Sequence, residues 1–154
     1  MSDGTEHILQ TTVLWFKRAR PQESLTTKHF HVQVGVHFEE VSEMLEQLNG
    51  LDDKTRGLII KAFDATKALA DHLKKNDEVI EPNDMKLLLD SVCDQIVTAT
   101  GVGYMMGSDL VEAMREVNRA NWSKFDSEGN PLFDENGKVL KGPNYKVADL
   151  TPFV

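Results

Sequence analysis

The apolar residues between Thr55 and Lys75 recur with the period of an α-helix, over a length no β-strand reaches. Leu58, Ile59, Ala62, Phe63, Leu69, Ala70 and Leu73 share helical spacing, and Lys74 and Lys75 suit the negative end of the helix dipole. Other segments follow the same rule. Ile8 to Arg20 reads as a short helix carrying Leu9, Val13, Leu14 and Phe16, stopped by Pro21. Phe30, Val32, Val34, Val36 and Phe38 alternate like a strand. Yet Phe30, Val34, Phe38, Val41, Leu45 and Leu48 form one helical stripe that continues where the alternation ends, so helix is the better reading. Ser24 or Thr26 would cap it, and Asn49-Gly50 would end it. After Pro82 a further helix sets Met85, Leu88, Leu89, Val92, Cys93, Ile96 and Val97 toward a core. Gly101 and Gly103 would allow close helix contact there, and Gly107 would stop it. Asp109 with Glu112 has the form of a capping box for a fifth helix, running to about Lys124.

Beyond Phe125 the texture changes. Glu128-Gly129-Asn130-Pro131, Asn136-Gly137 and Gly142-Pro143 separate two short apolar runs, Leu132-Phe133 and Val139-Leu140, and Asn-Gly between such runs signals a hairpin turn. The expected fold is therefore all-α. A bundle of about five helices fills residues 8–125, and a small C-terminal β-hairpin with an extended tail fills 126–154, in a single domain spanning 1–154.

Composition narrows the function classes. A chain of 154 residues with 40% hydrophobic and 27% charged residues can build a real core. Its net charge of -8 disfavours a nucleic-acid partner, while a small polyanion stays open if a divalent metal neutralises the site. The lone Cys93 excludes an internal disulfide, and no apolar run approaches the roughly 20 residues of a membrane span. Met1-Ser2-Asp3-Gly4-Thr5-Glu6 lacks the basic and apolar regions of a secretory signal, so a cytoplasmic protein is expected.

Three constellations carry the chemistry. The first is Glu39-Glu40-Val41-Ser42-Glu43, an EExxE pattern whose carboxylates share one side of a helix. Like charges so placed suit either full solvation or a bound cation, and carboxylate oxygens suit Mg²⁺ or Mn²⁺. The second is Asp90 and Asp94, one turn apart in an otherwise apolar helix. There they are expected to be at least half buried, so that a metal is the strongest available partner. The third is Asn118, Asn121 and Lys124, three residues apart along one helix line, where amides suit a sugar or base and an ammonium suits a phosphate. Trp15, Trp122 and Tyr145 are the aromatics able to stack on a base, although packing is the commoner use. His29, His31 and His37 form no metal-ligand spacing and read as surface or edge residues.

The ordered set EExxE, Asp-bearing apolar helix, NxxK helix resembles the all-α nucleoside triphosphate pyrophosphohydrolases, the MazG-like and phosphoribosyl-ATP pyrophosphohydrolase-like superfamily that includes the dimeric dUTPases. The stretches Leu89–Asp94 and Glu116–Phe125, with Lys141-Gly142-Pro143-Asn144-Tyr145, look most like its phage-type branch. The resemblance covers nearly the whole chain. It implies Mg²⁺-dependent hydrolysis of a (d)NTP to its monophosphate and pyrophosphate, with Glu40, Glu43 and Asp94 as metal ligands. It further implies Asn121 and Lys124 as substrate contacts and a homodimer or dimer of dimers. Glu39 becomes a candidate for orienting the attacking water, and Lys141 with Tyr145 joins the substrate contacts.

The match departs in two places. Ser91 stands where the family's ExxD motif has its acid, leaving Asp90 as the substitute ligand, and the interval from Glu43 to Asp90 is longer than usual. The different-class reading is a non-catalytic helical dimerisation or protein-interaction module with exposed carboxylates. A ferritin-like oxidase lacks its Glu-x-x-His pairs, and a P-loop enzyme lacks its Gly-rich loop.

Overall fold

A computed structural model of the protein describes residues 8–135 and 137–154. The fold is all-α: α1 (Ile8–Ala19), α2 (Thr27–Glu46), α3 (Asp53–Lys75), α4 (Met85–Met105) and α5 (Leu110–Trp122), with short 3₁₀ turns at Gln22–Ser24 and Thr151–Phe153. No described helix is long and apolar enough to cross a membrane. The described residues gather into two compact units, one of residues 25–81 with 135, 137 and 138 and one of residues 8–24, 82–134 and 139–154.

The first unit is the α2–α3 helical pair. Thr26 caps α2 by accepting from the His29 amide, and the His29 ring reciprocates by accepting from the Thr26 amide, a capping box with histidine in the usual Glu or Gln position. The helical reading of this stripe therefore holds as far as Glu46; Gln47 is the C-cap, so Leu48 and the expected exit at Asn49-Gly50 lie beyond the helix. Asp52 caps α3 through the Thr55 amide at 2.8 Å and the Thr55 hydroxyl at 2.7 Å. The two helices meet where side chains are smallest. Gly35 is buried, and a Cβ there would lie 2.9 Å from both the Ala70 carbonyl oxygen and Lys74 Cγ, and 3.2 Å from Leu73 Cβ. Val32, Ala70 and Leu73 complete this buried strip.

The second unit is held by α1 on α5. The Trp15 indole N–H donates to the Asn121 carbonyl at 2.8 Å, and its ring stacks on the buried Phe125 at 5.6 Å, with Trp122 edge-on to the same ring. Along α5 runs the tail. Gly142 N–H bonds the Lys124 carbonyl, Lys146 N–H the Ser123 hydroxyl, Arg119 the Val147 carbonyl, and Asp149 N–H the Glu116 carboxylate. Asp109 caps α5 by accepting from the Glu112 amide, but the expected reciprocal half is absent. The Asp109 N–H bonds the Phe153 carbonyl instead, and Glu112 pairs with Arg115.

Two further expectations are corrected. The C-terminal β-hairpin is replaced by a single antiparallel bridge between Phe133 and Val139, and no strand occurs among the described residues. Gly137 has the positive φ of a turn, while Asn136, like Met1–Glu6, lies outside the described residues. One bridge forms because the runs are two residues long and face no second layer, too little for an independent ladder. The other correction concerns α4, which was expected to face a core. Every residue from Met85 to Thr100 is exposed. Within its unit α4 packs on α5 near Gly103, where a Cβ would meet Leu110 at 3.0 Å. Gly101 has open space around it.

The tight crossing at Gly35 yields a stability prediction. Gly35→Ala should lower unfolding free energy by about 1–2 kcal/mol despite alanine's better helix propensity, because the methyl group overpacks against fixed backbone. Urea denaturation followed by circular dichroism measures it, and unchanged or raised stability would refute the close-packing account.

Candidate functional site

α2 turns Glu39 toward α3 and leaves Glu40 and Glu43 exposed. The Glu39 side chain is 13% exposed. Its Oε1 accepts from Lys74 Nζ at 2.7 Å and Lys67 Nζ at 3.2 Å, and its Oε2 accepts from Lys138 Nζ at 3.2 Å. Burial alone would push this carboxyl up, but the hydrogen bonds from Lys74, Lys67 and Lys138 outweigh that and bring it down to about 2. Asp71 joins from one turn away, 3.2 Å from Lys74 and 3.8 Å from Lys67. Desolvation works against the Lys74 ammonium, yet Glu39 and Asp71 raise its affinity for the proton.

These lysines escaped the sequence reading. Lys67 and Lys74 lie seven residues apart, two turns along one face of α3, with Asp71 between them; that periodicity was the available signal. Lys138 had none, since it arrives from a distant turn. Glu39 itself was read as orienting water, and both its oxygens are engaged by ammonium groups.

Ser42, buried within the EExxE turn, donates to the Glu39 carbonyl at 2.6 Å, which fixes the backbone between the acidic residues. Glu40 and Glu43 are three residues apart on the solvent side of that turn.

The second carboxylate pair differs from expectation. Asp90 and Asp94 are exposed, not half buried, because the whole of Met85–Thr100 is exposed. Apolar neighbours in sequence imply burial only when the helix lies against another surface. The EExxE turn belongs to the α2–α3 unit and the Asp90/Asp94 pair to the other. Among the described residues, no group of three or more His, Cys, Asp or Glu side chains is gathered as for a metal ion.

The polar line on α5 divides by role. Asn118 is buried, its carbonyl accepting from the Thr12 hydroxyl at 2.9 Å and its amide donating to the Ile8 carbonyl at 3.2 Å, so it fastens α1. Asn121 and Lys124 lie half-buried beyond it, with the Lys124 ammonium 5.8 Å from the Trp15 ring centre. The tail brings Lys141 and Tyr145, ammonium over ring at 4.9 Å, onto the same end of the unit through the Gly142–Lys124 hydrogen bond. Trp15 and Trp122 both pack on Phe125.

One of the three histidines departs from the surface or edge reading. His31 is buried, its Nδ1 accepting from the Glu78 amide and its Nε2 donating to the Ile80 carbonyl, each at 2.8 Å. Both ring nitrogens are used to hold the chain after α3, where Glu78 adopts a left-handed φ of 56°. The recess beside it, about 500 Å³ and lined by Thr27, His31, Val79, Ile80, Glu78 and Glu81, carries two carboxylates and is unsuited to a polyphosphate. His29 caps α2, and His37 is exposed.

Comparisons with protein-family models, curated proteins and solved structures return no match.

The α5–tail clasp gives a pH prediction. The Arg119 guanidinium and the Asp149 amide hold the Glu116 carboxyl down at about 2, below its ordinary 4.5. A depressed carboxyl stabilises the fold above its unfolded value and loses that contribution as pH falls through the folded one. Hydrogen exchange at the Asp149 amide should therefore stay slow at pH 5, weaken below about 4 and be lost near 2. Glu116→Gln should exchange faster at neutral pH, and equal protection in the two proteins would contradict the clasp.

Proposed function

We propose that the protein is a Mg²⁺-dependent nucleoside triphosphate pyrophosphohydrolase, converting a (d)NTP to its monophosphate and pyrophosphate. The observation that carries this reading is a juxtaposition within one helical pair. Two exposed carboxylates, Glu40 and Glu43, stand beside a third, Glu39, on which three ammonium groups converge. A metal–triphosphate needs both kinds of group, hard oxygens for the cation and ammoniums for phosphate oxygens. The ordered motifs along the chain add their support through the family resemblance.

Glu40 and Glu43 fit a magnesium ion, which is commonly bound by one or two carboxylates with water and substrate phosphates filling its other positions. The resemblance adds Asp90 and Asp94 of α4 to the ligand set. When bound, the ion neutralises the triphosphate and lowers the pKa of water. The remaining steps belong to the chain. A water held by one of α2's carboxylates attacks the α-phosphorus and gives that carboxylate its proton. The bond from the α-phosphorus to its bridging oxygen breaks, and pyrophosphate departs with the bond's electrons. The resemblance assigns the nucleotide contacts to Asn121 and Lys124, with Lys141 and Tyr145 from the tail. Glu39, ionised and occupied by lysines, anchors those lysines; the water's proton goes to Glu40 or Glu43.

The second reading, a non-catalytic dimerisation module, has its own observation. Leu87, Leu89 and Val97 on α4 are 63%, 64% and 68% exposed, and Leu88, Val92 and Ile96 are exposed with them. A helix apolar on most sides ordinarily lies against protein. The exposed carboxylates are also what that reading expects. A homodimer serves both readings, since covering α4 need not remove the α2 site. Catalysis therefore decides between them.

Purified protein with Mg²⁺ and a panel of NTPs and dNTPs should release monophosphate and pyrophosphate. Glu43→Gln should reduce kcat by at least about 100-fold while keeping the wild-type circular dichroism spectrum, in line with the loss of a metal ligand or its support. Silence across the panel with Mg²⁺ and Mn²⁺, or a fully active Glu43→Gln, would leave the dimerisation module. Light scattering after size exclusion should give twice the 17.3 kDa chain mass or a multiple of that dimer; a monomer would refute the oligomer proposal.

A further inference from the structure

The His31 side chain is fully buried, and both of its ring nitrogens are spent on backbone. A ring that accepts at Nδ1 from the Glu78 N–H and donates at Nε2 to the Ile80 carbonyl is neutral and held in one tautomer. Histidine is also the side chain that takes up a second proton nearest neutrality, at about pH 6.5 in an ordinary setting. The charged ring donates at both nitrogens. A proton on Nδ1 would therefore set one N–H against another and break the Glu78 bond. The Ile80 bond would survive, because Nε2 carries its proton in both states.

The segment that the ring holds is not in a relaxed conformation. Glu78 has a left-handed φ of 56°, a state seldom adopted by residues other than glycine, asparagine and aspartate. Its amide bond to Nδ1 ties it there. Beside the ring lies the recess of about 500 Å³, which gives solvent a route to His31 and has the exposed Glu78 and Glu81 in its lining. The other charged groups of the elements that meet here are engaged with one another. Lys28 of α2 lies 3.9 Å from Asp77, and His29 caps α2 through Thr26. On the last turn of α3, Lys74 binds Glu39 and Asp71, Lys75 acts on Asp71, and the His72 ring faces the Asn76 amide. Phe30 meets the His31 ring edge-on and brings no charge. The two charged residues that share the recess with His31 are thus both acidic, which favours a charged ring once the amide bond is given up.

We propose that His31 is a pH-operated latch on residues 78–81. With the ring neutral, Nδ1 holds the Glu78 amide and the left-handed turn. With the ring protonated, Glu78 leaves that turn and offers Nδ1–H its carboxylate in place of its amide, while Ile80 stays bound as the pivot. Glu81 adds a second carboxylate on the recess side. The latched state is therefore the one above histidine's titration, and it is lost as pH falls through it. None of the residues assigned to nucleotide hydrolysis takes part, so the latch stands apart from the pyrophosphohydrolase reading.

The test is ¹⁵N NMR of the intact chain at pH 7.5 and pH 5, on either side of histidine's ordinary titration. At pH 7.5 the His31 ring should show the neutral form with its proton on Nε2, and the Glu78 amide should be protected from exchange. At pH 5 both ring nitrogens should carry protons. The Glu78 protection factor should then be at least about tenfold lower, as expected for one lost buried hydrogen bond, while amides in the middle of α3 keep theirs. His31→Asn replaces the ring with a side-chain oxygen that accepts but does not titrate, and should protect Glu78 equally at both pH values. Glu78→Gln keeps the backbone amide but removes the receiving carboxylate, and should move the change to lower pH. A ring still neutral at pH 5 overturns the latch, as does a protonated ring with Glu78 protection unchanged. So does a folded His31→Asn protein that loses Glu78 protection at pH 5 as wild type does. If His31→Asn does not fold, the wild-type ring and amide signals decide alone.

Discussion

The closeness of α2 to α3 at Gly35 governs the α2–α3 unit. A side chain at that position would collide with the Ala70 carbonyl and with Lys74, so only glycine lets the helices approach this far. The approach puts Glu39, one turn along α2, within hydrogen-bonding reach of Lys67 and Lys74. Packing and electrostatics are thus coupled. The apolar contact of Val32, Ala70 and Leu73 excludes water on one side, and the ion cluster closes the other. Ser42 then locks the turn on which Glu40 and Glu43 stand. Glu39, Lys67 and Lys74 are placed by a helix crossing, which favours precise positioning of their side chains, and Lys138 joins them from a turn.

Much of this was readable from the chain because local signals agreed with one another. Thr26 and Asp52 stand where caps belong, and the stripes of α2 and α3 run unbroken at helical period. Helix existence follows from such local rules. The tail was harder. Short apolar runs around Asn136-Gly137 carry the chemistry of a hairpin, but a ladder needs more than two residues per arm and a surface to lie on. The Phe133–Val139 bridge is what remains. Beyond it, the tail satisfies its backbone on α5 through Ser123, Arg119 and Glu116, contacts between residues more than twenty positions apart that no local pattern encodes.

The site divides along the same line. The EExxE turn was visible because its spacing is itself a helical property. Its lysine partners were not, because proximity of Lys138 to Glu39 depends on tertiary structure. Asn118 shows the converse error: a polar residue on the expected face, whose amide is spent on Thr12 and Ile8. His31 errs in the same direction, since a ring with both nitrogens bonded to backbone can be wholly buried. Polar residue type alone separates neither fastening from binding nor surface from core.

α4 presents the remaining conflict between levels. Its composition asks for burial, and Met85–Thr100 is exposed throughout. A helix with apolar residues on most sides gains little from packing one edge on a neighbour, because the opposite edge stays wet. Full burial requires protein on several sides. On the proposed function the occupant is a second copy of the chain, and Asp90 and Asp94, which interrupt the apolar surface at one turn's spacing, need water or a cation even after the rest is covered. On that proposal, the carboxylates that look misplaced in a greasy helix would leave part of the association surface unsealed. On the proposed function, that unsealed edge is where a cation has most to gain.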